Sequence, residues 1–199
     1  MNALPLWARA VASALLALVA TLLVLELLER GRGNASADVT FARDMSAHHA
    51  QAVQMSMILH ARTHDPQLRT LALDIALTQQ AQLGMMHGWL QAWNVPIAGR
   101  GPIMRGMGES MGMATAEQIA ALSSAPLEEA ETLYLQLMLR HHQGGILMAE
   151  GAALEVRRPY LRELARKMVE GQRSETGLLE AMLRERRAQP LPAPEAHRH

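Results

Sequence analysis

The sequence predicts an all-α fold: a four-helix bundle built from two repeated helical hairpins and preceded by an apolar N-terminal helix. Three observations carry that prediction. From Asp38 onward no run of alternating β-branched residues occurs, while Ala, Leu, Met, Gln, Glu and Arg, the side chains that lose least on entering a helix, dominate. Helix-start signals punctuate the chain at Asp65-Pro66, Thr115 and Ala125-Pro126. Sliding the sequence over itself by 93 residues aligns Phe41–Leu90 with Tyr134–Leu183 without a gap and matches twelve identical pairs. One hairpin cannot bury its own apolar face, so two pack together.

The first element is apolar. Met1 to Arg9 carries the terminal amine and one arginine, and Ala10 to Leu25 then runs sixteen residues with nothing more polar than Ser13 and Thr21. Extended through Glu26 to Leu28, the run reaches 19 residues, close to the ~20 that span a bilayer as a helix. Residues 1–37 therefore read as a signal peptide or a signal anchor with a short linker. The triplet Ala35-Ser36-Ala37 resembles a cleavage site but lies about ten residues past the apolar run, further than such sites usually sit, which favours the uncleaved anchor. In both cases Arg9 and the amine favour the inside, so the remainder is expected outside the cytoplasm, in the periplasm or at the cell surface.

Residues 38–188 form the predicted bundle, with hairpin repeats at 38–93 and 126–187. Its helices are expected at about 39–63, 66–93, 126–156 and 159–187, with a short one near 116–123 opened by a Thr115/Gln118 capping box. Pro66 and Pro159 stand at first helical positions, and Glu128 and Glu129 place carboxylates in a first turn. The Met-rich connection 94–125 can cross the length of a bundle, since even half of full extension at ~3.3 Å per residue covers ~40 Å. It permits one long crossover as well as a simple up-and-down order. The tail 189–199, with three prolines, is expected to be disordered.

Composition narrows the chemistry. Nineteen basic residues balance nineteen acidic ones with no basic run, which argues against nucleic acid as a partner. The absence of cysteine excludes disulfide frameworks, thiolate zinc sites, iron–sulfur clusters and covalent haem attachment. Soft-metal chemistry must then use the fourteen methionines.

The repeat shows where it would do so. In the second helices the shared residues, among them Leu68/Leu161, Leu71/Leu164, Gln79/Gln172 and Gly84/Gly177, read mostly as turn and packing positions. In the first helices only four pairs are identical: Met45/Met138, His48/His141, His49/His142 and Met55/Met148. Those are the polarizable ligand types. Residues three, four and seven apart share a helical face, so Met45, His48 and Met55 line one stripe and His49 sits about 100° away. One helix offers a partial site, and facing pairs from the two repeats would complete sites between helices. Thioether sulfur is soft and imidazole borderline, so the set points to Cu(I) first, with Ag(I), Cu(II) or Zn also accommodated. A single methionine is adequately explained as core filler. The same set kept in both helices, where the rest of each diverged, is harder to attribute to packing, and the alternative is a structural or interaction bundle tethered to the membrane with Met and His as ordinary core.

Met104, Met107, Met111 and Met113 lie in a glycine-broken stretch and are further metal candidates, as ligands or as cover for the bundle end. Met57, His60 and His64 form a weaker stripe, Met85, Met86 and His87 read as core, and His197 and His199 carry no assigned role. Asp44, four residues before His48, either orients that ring or is simply an exposed aspartate at a helix start. No Glu is followed three residues later by His, which argues against di-iron oxidation chemistry, and no hydrolase or phosphate-loop motif occurs. A binding protein rather than an enzyme is expected.

The segments Phe41-Ala-Arg-Asp44-Met45-Ser-Ala-His48-His49 through Met55 and Met138-Leu-Arg-His141-His142 through Met148, together with Pro-x-Leu-Arg-x-Leu-Ala at Pro66 and Pro159, resemble the domain of unknown function 305 family over about Asp38 to Arg187. The resemblance implies a ferritin-like four-helix bundle, generally exported, with some members periplasmic copper-binding proteins linked to copper resistance. It implies metal roles for Met45, His48, His49, Met55, Met138, His141, His142 and Met148, with Met107 to Met113 resembling a Met-rich linker. Gln82 departs from the family's usual Glu, and Leu137 from its frequent Asp. The expected partners are metal ions, a membrane through the N-terminal helix, and a copper-handling protein to which the ion passes. Oligomeric state is left open.

Overall fold

Six helices account for the regular structure of this computed structural model, which describes residues 5–34, 37–98 and 111–194. The chain divides into two units, Met1–Ser36 and Ala37–His199. The first holds α1 (Leu6–Asn34), whose stretch Leu6–Glu26 is long and apolar enough to cross a membrane and buries none of its side chains. That composition fits a signal sequence as well as an anchor.

The second unit holds α2 (Ala37–Arg62), α3 (Pro66–Ala92), α4 (Ala116–Ser124), α5 (Leu127–Glu155) and α6 (Pro159–Glu185). No strand occurs among the described residues. Asp65 caps α3 by accepting from the amides of Gln67 and Leu68, and Pro66 fills the first helical position without losing a needed donor. Thr115 and Gln118 exchange the reciprocal hydrogen bonds of a capping box at α4. The repeat extends to the helix ends. Asn94 and Arg187, 93 residues apart, both adopt positive φ (56° and 53°), and Val95 N–H to Leu90 O is matched by Ala188 N–H to Leu183 O. Both hairpins thus finish on the same Schellman turn.

Long-range bonds establish the order of the helices. At one end Thr63 Oγ1 donates to Glu131 (2.6 Å) and Arg186 pairs with Asp65 (2.7 Å). At the other, the buried Asp38 carboxylate accepts from the Arg157 amide (2.7 Å) and pairs with Arg158 (2.7 Å). Helices α2 and α5 are therefore antiparallel neighbours, each packed on the second helix of its own hairpin. The C-terminus of α3 and the N-terminus of α5 lie at opposite ends, so the connection between them runs the length of the bundle. That is the single long crossover of ferritin-like bundles, one of the two topologies the sequence allowed.

The core is interrupted. One apolar cluster gathers Ala52, Met55, Leu59, Leu68, Ile75, Tyr134, Met138 and Leu183, and the other gathers Val39, Phe41, Met45, Met86, Leu90, Ala149, Leu161 and Met168. All four long helices of the bundle contribute to both. Between the two contributions each helix crosses a layer of buried polar residues: His48 and His49 on α2, Gln79 on α3, His141 and His142 on α5, Gln172 on α6.

Candidate metal centre

The histidine layer lies where α2 and α5 cross. The four imidazoles have no solvent exposure. His48 and His141 stack with ring centroids 3.6 Å apart and planes 29° apart, and in each helix the neighbouring ring lies 6.4 Å away. The antiparallel register sets Met45 and Met148 on one side of the layer and Met55 and Met138 on the other. The two repeats thus bring all eight sequence-predicted motif residues to one region. Met45, Met55 and Met138 are fully buried, while Met148 is half-buried.

Burial controls the electrostatics. Desolvation pushes the His48 pKa down to about 3, reinforced by His49, and the His49 pKa down to about 4 against the opposing effect of its hydrogen bond to Gln82. His141 is driven well below the usual histidine value by burial first and then by His48, His142 and His49. These three rings are neutral at pH 7.

Their protons can be placed. His48 Nε2–H donates to the Met111 carbonyl (3.1 Å), His49 Nε2–H to Gln82 Oε1 (2.7 Å) and His142 Nε2–H to Glu175 Oε2 (2.6 Å). With Nε2 occupied, Nδ1 of His48 and His49 carries the lone pair. The Nδ1 atoms of all four histidines are buried without a hydrogen-bond partner, and His141 lacks one at Nε2 as well. A carboxylate or carbonyl holding one ring nitrogen while the other faces inward is the arrangement that orients metal-ligating histidines. Among the described residues, no three His, Asp or Glu side chains are grouped so as to hold a metal ion. Imidazoles and carboxylates alone therefore do not make a cage of three among the described residues.

The crossover closes one side of the layer. Gln51 Nε2 donates to the Ala114 carbonyl (2.9 Å) and its Oε1 accepts from the Ala114 amide (2.7 Å), while Arg140 donates to Met113 O (3.0 Å). A Cβ on Gly144 would overlap the Met111 carbonyl, and one on Gly112, at φ +75°, would overlap the Arg140 carbonyl. Only glycines let the two backbones approach this closely. Met111 and Met113 thus enter beside the histidines through their carbonyls. Met104 and Met107 lie outside the described residues, as do His197 and His199.

Two expectations need correction. Asp44 does not orient His48, whose Nε2 goes to Met111 and whose Nδ1 has no partner. Gln79 and Gln172 do more than pack: both are amides inside the layer without a hydrogen-bond partner, and Gln172 also abuts Gly145. In the stripe Met57, His60 and His64, His60 Nδ1–H donates to the Arg69 carbonyl (3.1 Å), and Met57 and His64 lie exposed at the surface. The sequence reading met the hydrogen-bond partners Gln82 and Glu175 only through the family resemblance, Gln82 as a departure from the usual Glu, and did not count them among the site residues. Their signal was a common separation of 33 residues from His49 and His142 in the two repeats.

Residues 38–183 match the family described as Domain of unknown function (DUF305). The chain belongs to the DUF305 family. Among solved structures it is similar to a putative secreted DUF305 protein from Streptomyces coelicolor, with 47% identity over 80% of this chain and 99% of that one and a TM-score of 0.74. A DUF305 fragment from Deinococcus radiodurans is 37% identical over 75% of this chain and 96% of its own length, with a TM-score of 0.69. The same bundle recurs in CopM in the Cu(I)-bound form, at 22% identity, TM-score 0.61, over 74% of this chain and 96% of CopM. CopM is also known in Ag-bound and Cu(II)-bound forms. No protein of curated function matches this DUF305 sequence.

Proposed function

We propose that this DUF305 protein binds a soft cation, Cu(I) first and Ag(I) alongside it, in the layer between α2 and α5, and sequesters it or hands it on without catalysing a reaction. One observation carries the reading: the buried Nδ1 atoms of His48, His49, His141 and His142 have no hydrogen-bond partner. Leaving such groups unpaired costs stability, so their retention in both repeats calls for a guest. The methionine pairs on either side supply donors suited to a soft ion. The copper- and silver-bound forms of CopM support the choice of ion, and the putative secreted Streptomyces relative, with the apolar α1, supports a place outside the cytoplasm at or near a membrane.

The rival reading is a structural or interaction bundle in which Met45, Met55 and Met138 are ordinary core, favoured by their seats in the apolar clusters. Leucine separates the two, because Met→Leu conserves volume and costs under about 1.5 kcal/mol per site. In competition with a chromogenic Cu(I) chelator, the fourfold variant Met45→Leu, Met55→Leu, Met138→Leu and Met148→Leu should stay folded and lose at least about tenfold in affinity, the equivalent of ~1.4 kcal/mol. Wild-type affinity in that variant, or in one with the four motif histidines replaced by alanine, would defeat the metal reading.

A further inference from the structure

The side of the layer facing α3 and α6 holds polar groups that soft-metal ligation leaves unused. Gln79 and Gln172, repeat partners, are 2% and 4% exposed, and neither amide has a partner at its oxygen or its nitrogen. They floor a cavity of about 20 Å³ walled by Gln82 and Glu175, the residues that hold His49 and His142, and edged by exposed Thr78 and Gly171. Lys167, at the same edge, is held by Glu163 at 3.6 Å. The volume suits one water molecule or one ion stripped of its water. Among the described residues, apolar clusters lie above and below the layer, and the Met111 carbonyl seats against Gly144 on the crossover side.

Resting on the soft-metal reading, we propose that this chamber is the port through which the cation reaches the buried imidazoles. The two amide oxygens stand in for the water an entering ion must shed. Being harder donors than thioether or imidazole, they pass a soft ion inward rather than trap it. The paired glutamines serve a step that the ligands themselves do not.

The test follows Cu(I) transfer from its chelator complex to the full chain by stopped flow, with equilibrium titration of the same samples. Gln79→Leu with Gln172→Leu dries the chamber. Thr78→Phe and Gly171→Phe obstruct only its mouth, and a Cβ at Gly171 meets nothing within 4 Å, so these variants keep the fold if the first pair does not. Association should slow about tenfold or more in both sets while equilibrium affinity stays within about threefold. Unchanged rates, or lost affinity at an unchanged rate, would overturn the port and leave the metal centre standing. A wild-type chain that takes up no Cu(I) would end both. In a crystal of the metal-free protein, an ordered water should bridge Gln79 and Gln172, and a direct dry amide pair would contradict the proposal.

Discussion

The two hairpins place the same Met-His-His-Met set on α2 and α5 but surround it differently. His49 leans on the neutral amide of Gln82, whereas its counterpart His142 leans on the carboxylate of Glu175. His48 is tied to the Met111 carbonyl, whereas His141 has no hydrogen bond at either nitrogen. The four motif residues are held constant while the groups around each ring diverge. The second hairpin offers a carboxylate where the first offers an amide, and its His141 is held by stacking on His48 rather than by a hydrogen bond.

The largest expected effect is acid sensitivity of the shared histidine layer. His48, His49 and His141 are held below their unfolded value of 6.5, to about 3 and about 4 for the first two. Above pH 6.5 neither state binds the proton and their contribution is complete. As pH falls below 6.5 the unfolded chain takes up protons that the folded chain refuses, so stability drops by up to about 1.4 kcal/mol per pH unit for each ring until the folded values are reached. Urea unfolding of the metal-free protein between pH 7 and pH 4 should show this loss, and a flat profile would mean the rings are not buried neutral. Protons would then compete with a metal for His48 and His49 only near pH 4 and below, not near the ordinary histidine value of 6.5.

Next comes the close backbone approach of the crossover to the second hairpin, where the first hairpin reaches the crossover through the side chains of Gln51 and His48. Gly144 occupies the position of Gln51 in the first repeat, and a side chain there drives into the Met111 backbone. Gly144→Ala should cost about 3 kcal/mol, since neither backbone can yield cheaply, whereas Gly84→Ala or Gly177→Ala, with open space around the Cβ, should stabilise by up to about 1 kcal/mol. Equal effects at the three glycines, measured by thermal unfolding, would remove the claim that the crossover seats on α5.

The smallest effect separates the two ring partners. Glu175→Gln makes the second hairpin resemble the first and should lower stability by about 1 kcal/mol, allowing for the carboxylate's partial exposure, and Cu(I) affinity by about tenfold. Gln82→Glu should move affinity the other way. If the two substitutions change nothing, the asymmetry has no chemical consequence.

Much of this was legible in the sequence. The prolines, the Asp65 cap and the Thr115 capping box placed the helices within a few residues because those signals act locally. The 93-residue repeat identified the ligand set because it filtered out everything that had drifted. The missing information was tertiary. That Gln79 and Gln172 face the layer depends on how α3 and α6 lie across it, and their identity in both repeats looked like packing. The Met111 carbonyl could not be foreseen, since a backbone acceptor leaves no trace in residue type. Asp44 failed for the opposite reason: its four-residue spacing from His48 was suggestive, but the ring's bond goes to the crossover.

Copper K-edge X-ray absorption on the full chain loaded with one equivalent of Cu(I) addresses the joint site directly. Imidazole nitrogen and thioether sulfur should both appear in the first coordination shell of a single ion. A shell of sulfur alone, or of solvent oxygen alone, would contradict the claim that the histidine layer and the flanking methionines act together.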